Sequence, residues 1–248
     1  MDKKWLAVLF SVLFILGCSR EGFADSLNRS SSLLPESSSD EIPVRLAVPF
    51  SLKTGEIIEE NVYILFAQPS DGEDMSEVAA GVSVRMHELL GQIPSFFDLE
   101  AEGASLEVYD GVTRNDGEYF SVVYEGSYSS AQVPYPTKLV FGLTFNAQTG
   151  EQLTIDQLIE PQALAALMLD EQSSTIKSGN AEQKLAQQEY LEGVGLEGLA
   201  MRIEASKSQS NVDQLLTFSF YLEEGRMVTT IPVPHALGDV VVMVTALV

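Results

Sequence analysis

A chain of 248 residues with 45% hydrophobic content has room for one α+β domain or two closely packed subdomains, and its composition is far from that of a disordered segment. Its 14 basic and 36 acidic residues give a net charge of −22, a field that repels phosphate backbones, excludes nucleic acid as a partner, and favours cationic proteins, peptides or metal ions. The single cysteine, Cys18, rules out an internal disulfide, so the fold must be held by its core.

The chain starts with a short basic stretch containing Lys3 and Lys4, followed by an apolar run from Trp5 to Leu16 interrupted only by Ser11. That run is too short to span a bilayer, which takes roughly 20 residues, and has the length of a signal-peptide core. It ends in Ile15-Leu16-Gly17-Cys18, which resembles the lipobox of bacterial lipoproteins. The resemblance implies a signal peptide over 1–17, lipid such as palmitate on Cys18, and a membrane-anchored location in the cell envelope, facing outside the cytoplasm. Residues 18–41, with RSSSLLPESSSDE at their centre, show neither helical nor strand period. They read as a flexible tether with a reach of about 25–30 Å by random-coil scaling.

From Ile42 the segment IPVRLAVPFSLKTGEIIEENVYILFAQPS is β-branched and strand-like, with a break expected at Lys53-Thr54-Gly55. A helix follows, its apolar stripe made of Met75, Val78, Ala79, Val82, Met86, Leu89 and Leu90 at spacings of three and four. Ser70, Asp71, Glu73 and Asp74 stand where caps and negative charge favour a helix start. Two strand-like runs then flank Asn115-Asp116-Gly117, a hairpin signal because Asn and Gly tolerate positive φ.

The strand TKLVFGLTF leads into a turn over Asn146–Gly150, with Gly150 suited to a left-handed conformation. Leu153 and Ile155 alternate with polar neighbours, and Pro161 suits the first turn of a helix through QALAALML. A second helical segment covers Ala181–Leu191, before GVGLEGLA. Three strands are expected at the end, Gln214–Leu222, Arg226–Pro232 and Val240–Leu247, with Glu224-Gly225 turning the first pair. The pattern predicts an α+β fold, an antiparallel or mixed sheet packed against a few helices, in two subdomains over 42–136 and 137–248 with the second packed on the first.

The stretch TFNAQTGEQLTIDQLI, followed after two helical segments by FSFYLEEGRMVTTIPVPHALGD, resembles the paired extracytoplasmic domains of unknown function in RsiV-type anti-sigma factors and in the accessory region of PdaC-type peptidoglycan deacetylases. The likeness rests on Thr149-Gly150, Leu153, Ile155, Leu158, Glu224-Gly225 and Gly238, which are turn and core positions. Asn146 stands where that pattern has a turn Asp, and SSAQVPYP lacks a histidine often found there. The resemblance implies an α+β fold and, from the RsiV-type members, engagement of lysozyme.

Candidate chemistry is sparse. His87 is expected on the polar side of the first helix, as a partly exposed structural residue. His235, in the loop PVPHALG, is the candidate ligand-binding residue. Neither HExxH nor HxxxH occurs, so no catalytic residue, metal site or cofactor is expected. Ser174 and Lys177 form an S-x-x-K, and Lys53-Thr54-Gly55 a K-T-G, but in the order opposite to that of penicillin-recognising enzymes. The function expected is non-enzymatic binding of peptidoglycan or of a cationic protein such as lysozyme, by a protein held to the membrane through Cys18. The alternatives are a wall-modifying hydrolase or deacetylase with an unrecognised carboxylate pair, and a structural component of an envelope complex.

Overall fold

The computed structural model describes residues 48–70 and 76–246, all within one compact unit, Arg45–Val248. The signal peptide, Cys18, the tether, and the helix-start residues Asp71, Glu73, Asp74 and Met75 lie outside the described residues. Five strands form the first sheet, in the order β1 (Ser51–Glu59), β2 (Val62–Ser70), β3 (Ser105–Asn115), β4 (Tyr119–Ser129) and β5 (Thr137–Asn146). All neighbours are antiparallel except β2 and β3. The parallel pair requires a crossover, and the crossover carries helix α1 (Glu77–Leu90).

Helix α1 is capped by Ser76, whose hydroxyl accepts from the Ala79 N–H. Its expected stripe is buried: Ala79, Val82, Met86, Leu89 and Leu90 lie against Phe66, Val108, Phe120, Phe141 and Phe145 of the sheet. Each large apolar side chain so buried contributes about 1.5–3 kcal/mol against the entropy of ordering the chain. The break expected at Lys53-Thr54-Gly55 does not occur. β1 runs through it in unbroken register with β2 and turns only at Glu60 and Asn61. Gly55 pairs with Phe66, and a Cβ there would stand 2.5 Å from that ring, so the aromatic fills the space a side chain would take.

The second sheet has the order β6 (Ser174–Ile176), β9 (Val240–Ala246), β8 (Arg226–Pro232), β7 (Ser219–Glu223), all antiparallel. Helices α2 (Pro161–Leu169), α3 (Ala181–Ser206) and α4 (Val212–Thr217) complete the fold, and the described residues form no closed barrel. Two expected boundaries move. α3 continues past Leu191 to Ser206 through a kink at Gly195 (φ 70°), because Leu199, Ala200 and Ile203 extend its buried side. The strand expected over Gln214–Leu222 begins only at Ser219, since Asn211 caps a short helix over its first residues. The division expected after residue 136 falls in the link between β4 and β5, neighbours in the first sheet.

The sheets meet through a polar seam. Edge strand β7 lies on the outer face of β3–β5, where the Leu222 N–H donates to Ser121 Oγ (2.8 Å) and the Thr113 hydroxyl donates to the Leu222 carbonyl (2.9 Å). The Gly142 N–H donates to Ser219 Oγ (2.9 Å). Gly142 is required here, because a Cβ would come within 2.5 Å of the Phe220 carbonyl oxygen. The hydroxyls satisfy backbone groups that a dry sheet-on-sheet contact would strand.

Candidate functional site

A cavity of about 510 Å³ opens between α2, β6 and the first half of α3. Sequence chemistry places each wall. Pro161 opens α2 with its φ already set, and Asn180 caps α3 in a reciprocal box with Gln183. Asp170 turns the chain from α2 into β6, and hydrogen bonds from the Ser173 hydroxyl and the Gln172 N–H hold its carboxyl below the usual range. Gln187, 1% exposed, fastens α3 to the sheet: its amide donates to the Leu237 carbonyl (2.7 Å) and accepts from the Ser178 hydroxyl (3.1 Å). Ser178 Oγ accepts in turn from the Val242 N–H.

The floor of the cleft is apolar, from Met168, Leu191 and Met243, with Ile176 beside them. The rim is charged and polar. Glu171 and Glu192, both exposed, accept from the same nitrogen of Gln188, at 2.7 and 3.2 Å, so a neutral amide holds two like charges together over the floor. Lys184 lines the same cleft. Glu171 and Glu192 both stand in water, an arrangement suited to receiving a cation.

Ser174 opens β6, and Lys177 lies just past its end. The Ser174 hydroxyl pairs with that of Thr245 (2.8 Å), and Lys177 Nζ reaches Glu223 Oε1 (2.7 Å), so the two make no nucleophile–base pair. Lys53-Thr54-Gly55 belongs to the other sheet. His87 is exposed on α1, its ring 6.0 Å from that of Phe66.

His235 lies in a single helical turn (His235–Leu237) before β9, away from the cleft. Its Nδ1 is 2.8 Å from Asp239 Oδ1, and its ring stacks on Tyr135 with centroids 6.2 Å apart. Asp239, at φ 67°, also accepts from the Lys138 N–H of β5 (2.9 Å) and so ties the second sheet to the first. Among the described residues, no three His, Cys, Asp or Glu side chains gather to hold a metal. No helix among them is long and apolar enough to cross a membrane.

Of the cleft residues, Ser174 is marked in the sequence, through its S-x-x-K, while Glu171, Lys184, Gln188 and Glu192 carry no motif. Lys184, Gln188 and Glu192 recur at every fourth position, a local signal of one helix face, but Glu171 joins them from a separate segment.

No protein-family model matches the chain, and no curated protein matches it. Solved structures similar to it include a DUF3298 family protein from Pseudomonas aeruginosa PAO1, at 10% sequence identity and a TM-score of 0.40, covering 82% of this chain and 92% of that one. That neighbour is a domain of unknown function.

Proposed function

We propose that this chain is a non-enzymatic binding protein of the cell envelope, anchored by lipid on Cys18, whose cleft receives a basic side chain of a cationic partner protein. The observation carrying this reading is the pair of exposed carboxylates, Glu171 and Glu192, gathered by Gln188 above an apolar floor. A lysine or arginine can lay its aliphatic stem along Met168 and Leu191 and place its charged end between the two acids. The adaptable thioethers of Met168 and Met243 suit such a stem, and the net charge of −22 steers basic proteins toward the surface. The RsiV-type resemblance points to the same class of partner, with lysozyme as its example.

The test uses hen lysozyme as the basic probe at about 50 mM salt. Binding should weaken as salt rises, and the double variant Glu171→Gln/Glu192→Gln should weaken it about 3- to 30-fold, the loss of two partly solvated ion pairs. Absence of binding at low salt, or unchanged binding by the double variant, overturns the reading. Salt-insensitive retention on purified peptidoglycan would favour a glycan ligand. Release of sugar or acetate from it, lost in Glu171→Gln, would favour a hydrolase or deacetylase.

A further inference from the structure

A β-sheet edge exposes unpaired backbone donors and acceptors, and natural folds cover or blunt it. This fold closes two of its long edges with specific groups. β7 is sealed by the hydroxyls of Thr113 and Ser121, and β5 by Asp239 on the Lys138 N–H and by the Leu153 N–H on the Thr144 carbonyl. β6 is only three residues long.

β1 differs from these. It is the end strand of its sheet, nine residues long, in nine consecutive pairs with β2, and it holds neither proline nor bulge. Its ends are fixed. The Phe50 N–H donates to Asn115 Oδ1 and the Phe50 carbonyl accepts from Asn115 Nδ2, each at 2.9 Å, while past the turn the Asn61 amide donates to the Leu99 carbonyl (3.1 Å). Such a strand, in unbroken register with its neighbour, offers a preorganised template for another strand.

The surface beside it says what that strand would be. Ile58 (58% exposed) pairs with Tyr63 (36%), and Tyr63 meets Tyr109 (45%) edge to face at 5.9 Å, so the outer face next to the edge is an apolar and aromatic shelf. The shelf is acidic. Glu56 lies on β1, Glu107 pairs with Tyr63 and accepts from the Tyr109 hydroxyl (3.2 Å), and Glu125 pairs with Tyr109. Glu59 ends the strand, Glu60 begins the turn after it, and Lys53 is the strand's one basic residue. A second copy would bring these acids against their own kind.

We propose that the edge of β1, which no other strand among the described residues pairs with, takes an extended basic segment of a partner protein as a sixth strand, with main-chain pairing along Lys53–Glu59 and alternate side chains lying over Ile58, Tyr63 and Tyr109 against Glu56 and Glu107. Backbone pairing supplies the registry, and the aromatic and acidic shelf selects lysine or arginine at alternate positions. This surface is independent of the cleft.

The probe is an acetylated eight-residue peptide alternating lysine and valine, titrated against the chain by fluorescence anisotropy at about 150 mM salt. A second peptide carries N-methyl groups on two adjacent central residues, which removes main-chain donors from both of its edges while keeping the charge. The first peptide should bind, the methylated one at least tenfold more weakly, and hydrogen exchange should slow at the β1 amides. Glu56→Gln/Glu107→Gln should weaken binding about 3- to 30-fold, and Glu171→Gln/Glu192→Gln should leave it unchanged. Equal binding of the two peptides reduces the contact to charge and overturns the proposal. Loss of binding in the cleft variant moves the peptide to the cleft, overturning this proposal and leaving the proposed function standing. Self-association under these conditions that is abolished by Ile58→Lys assigns the edge to a second copy and overturns it as well.

Discussion

Replacing Gly142 by alanine tests whether the seam between the sheets is as tight as its geometry implies. A Cβ at this position stands 2.5 Å from the Phe220 carbonyl oxygen, 2.7 Å from its carbon and 2.8 Å from Tyr221 Cβ. Two of the three neighbours are backbone of β7, so relief requires the strand to move. Overpacking of this kind costs about 1–3 kcal/mol. A displaced β7 also stretches the Gly142–Ser219 and Leu222–Ser121 hydrogen bonds, each contributing about 1 kcal/mol. The sum is about 3 kcal/mol or more, a fall in Tm of about 6–12 °C for a domain of this size. Gly81→Ala is the matched control. It sits on exposed α1 surface with nothing within 4 Å of the added carbon, and should stabilise by up to about 1 kcal/mol through helix propensity. Urea and thermal unfolding of both variants read the two signs. A Gly142→Ala loss below about 1 kcal/mol with the fold intact would refute the seam argument.

Gln187→Leu leaves the Ser178 hydroxyl and the Leu237 carbonyl without their amide partner in a buried place, and should cost about 1–3 kcal/mol by chemical denaturation. At Asp116 burial pushes the carboxyl up, but the Tyr119 and Glu118 N–H groups and Arg114 outweigh it and hold the acid below its usual range. A depressed folded-state value means stability present above about pH 4 and lost as pH falls further, so Asp116→Ala should destabilise at pH 7 and converge on the parent near pH 2. Burial, then Glu223 and Glu125, pushes the Tyr221 phenol up to about 12. Its contribution is complete below pH 10 and lost between about pH 10 and 12, so Tyr221→Phe should show a shallower alkaline loss of stability.

Sequence period was sufficient where one side of an element is buried and its ends carry specific residues. The stripe of α1, the Asn115–Gly117 hairpin, the Gly150 turn (φ 74°) and β8 at Arg226–Pro232 are all of this kind. It failed where tertiary contact overrides local preference. Gly55 reads as a break until Phe66 is placed across from it, and the helical segment reads as ending at Leu191, before three glycines, until Leu199 and Ile203 are seen to be buried. The cleft was illegible for another reason. Glu171 and Glu192 are brought together by the packing of α2 on α3, and no spacing along the chain encodes that distance.

The charge that marks this chain also bears on the open edge of β1. A nine-residue edge with neither proline nor bulge is ordinarily an aggregation hazard, and one basic residue in it is little protection. Here the whole molecule supplies the protection, since two copies at −22 each repel before their edges meet. The same field leaves the edge accessible to a basic strand. It follows that screening should remove the discrimination. At about 1 M salt the Debye length falls to about 3 Å, and the chain should then self-associate through β1, read by light scattering and by slowed exchange of the β1 amides. Ile58→Lys, on the shelf of that edge, should restore the monomer. A chain that stays monomeric at 1 M salt would show that something other than charge guards the edge, because the backbone groups of Lys53–Glu59 are unaffected by screening.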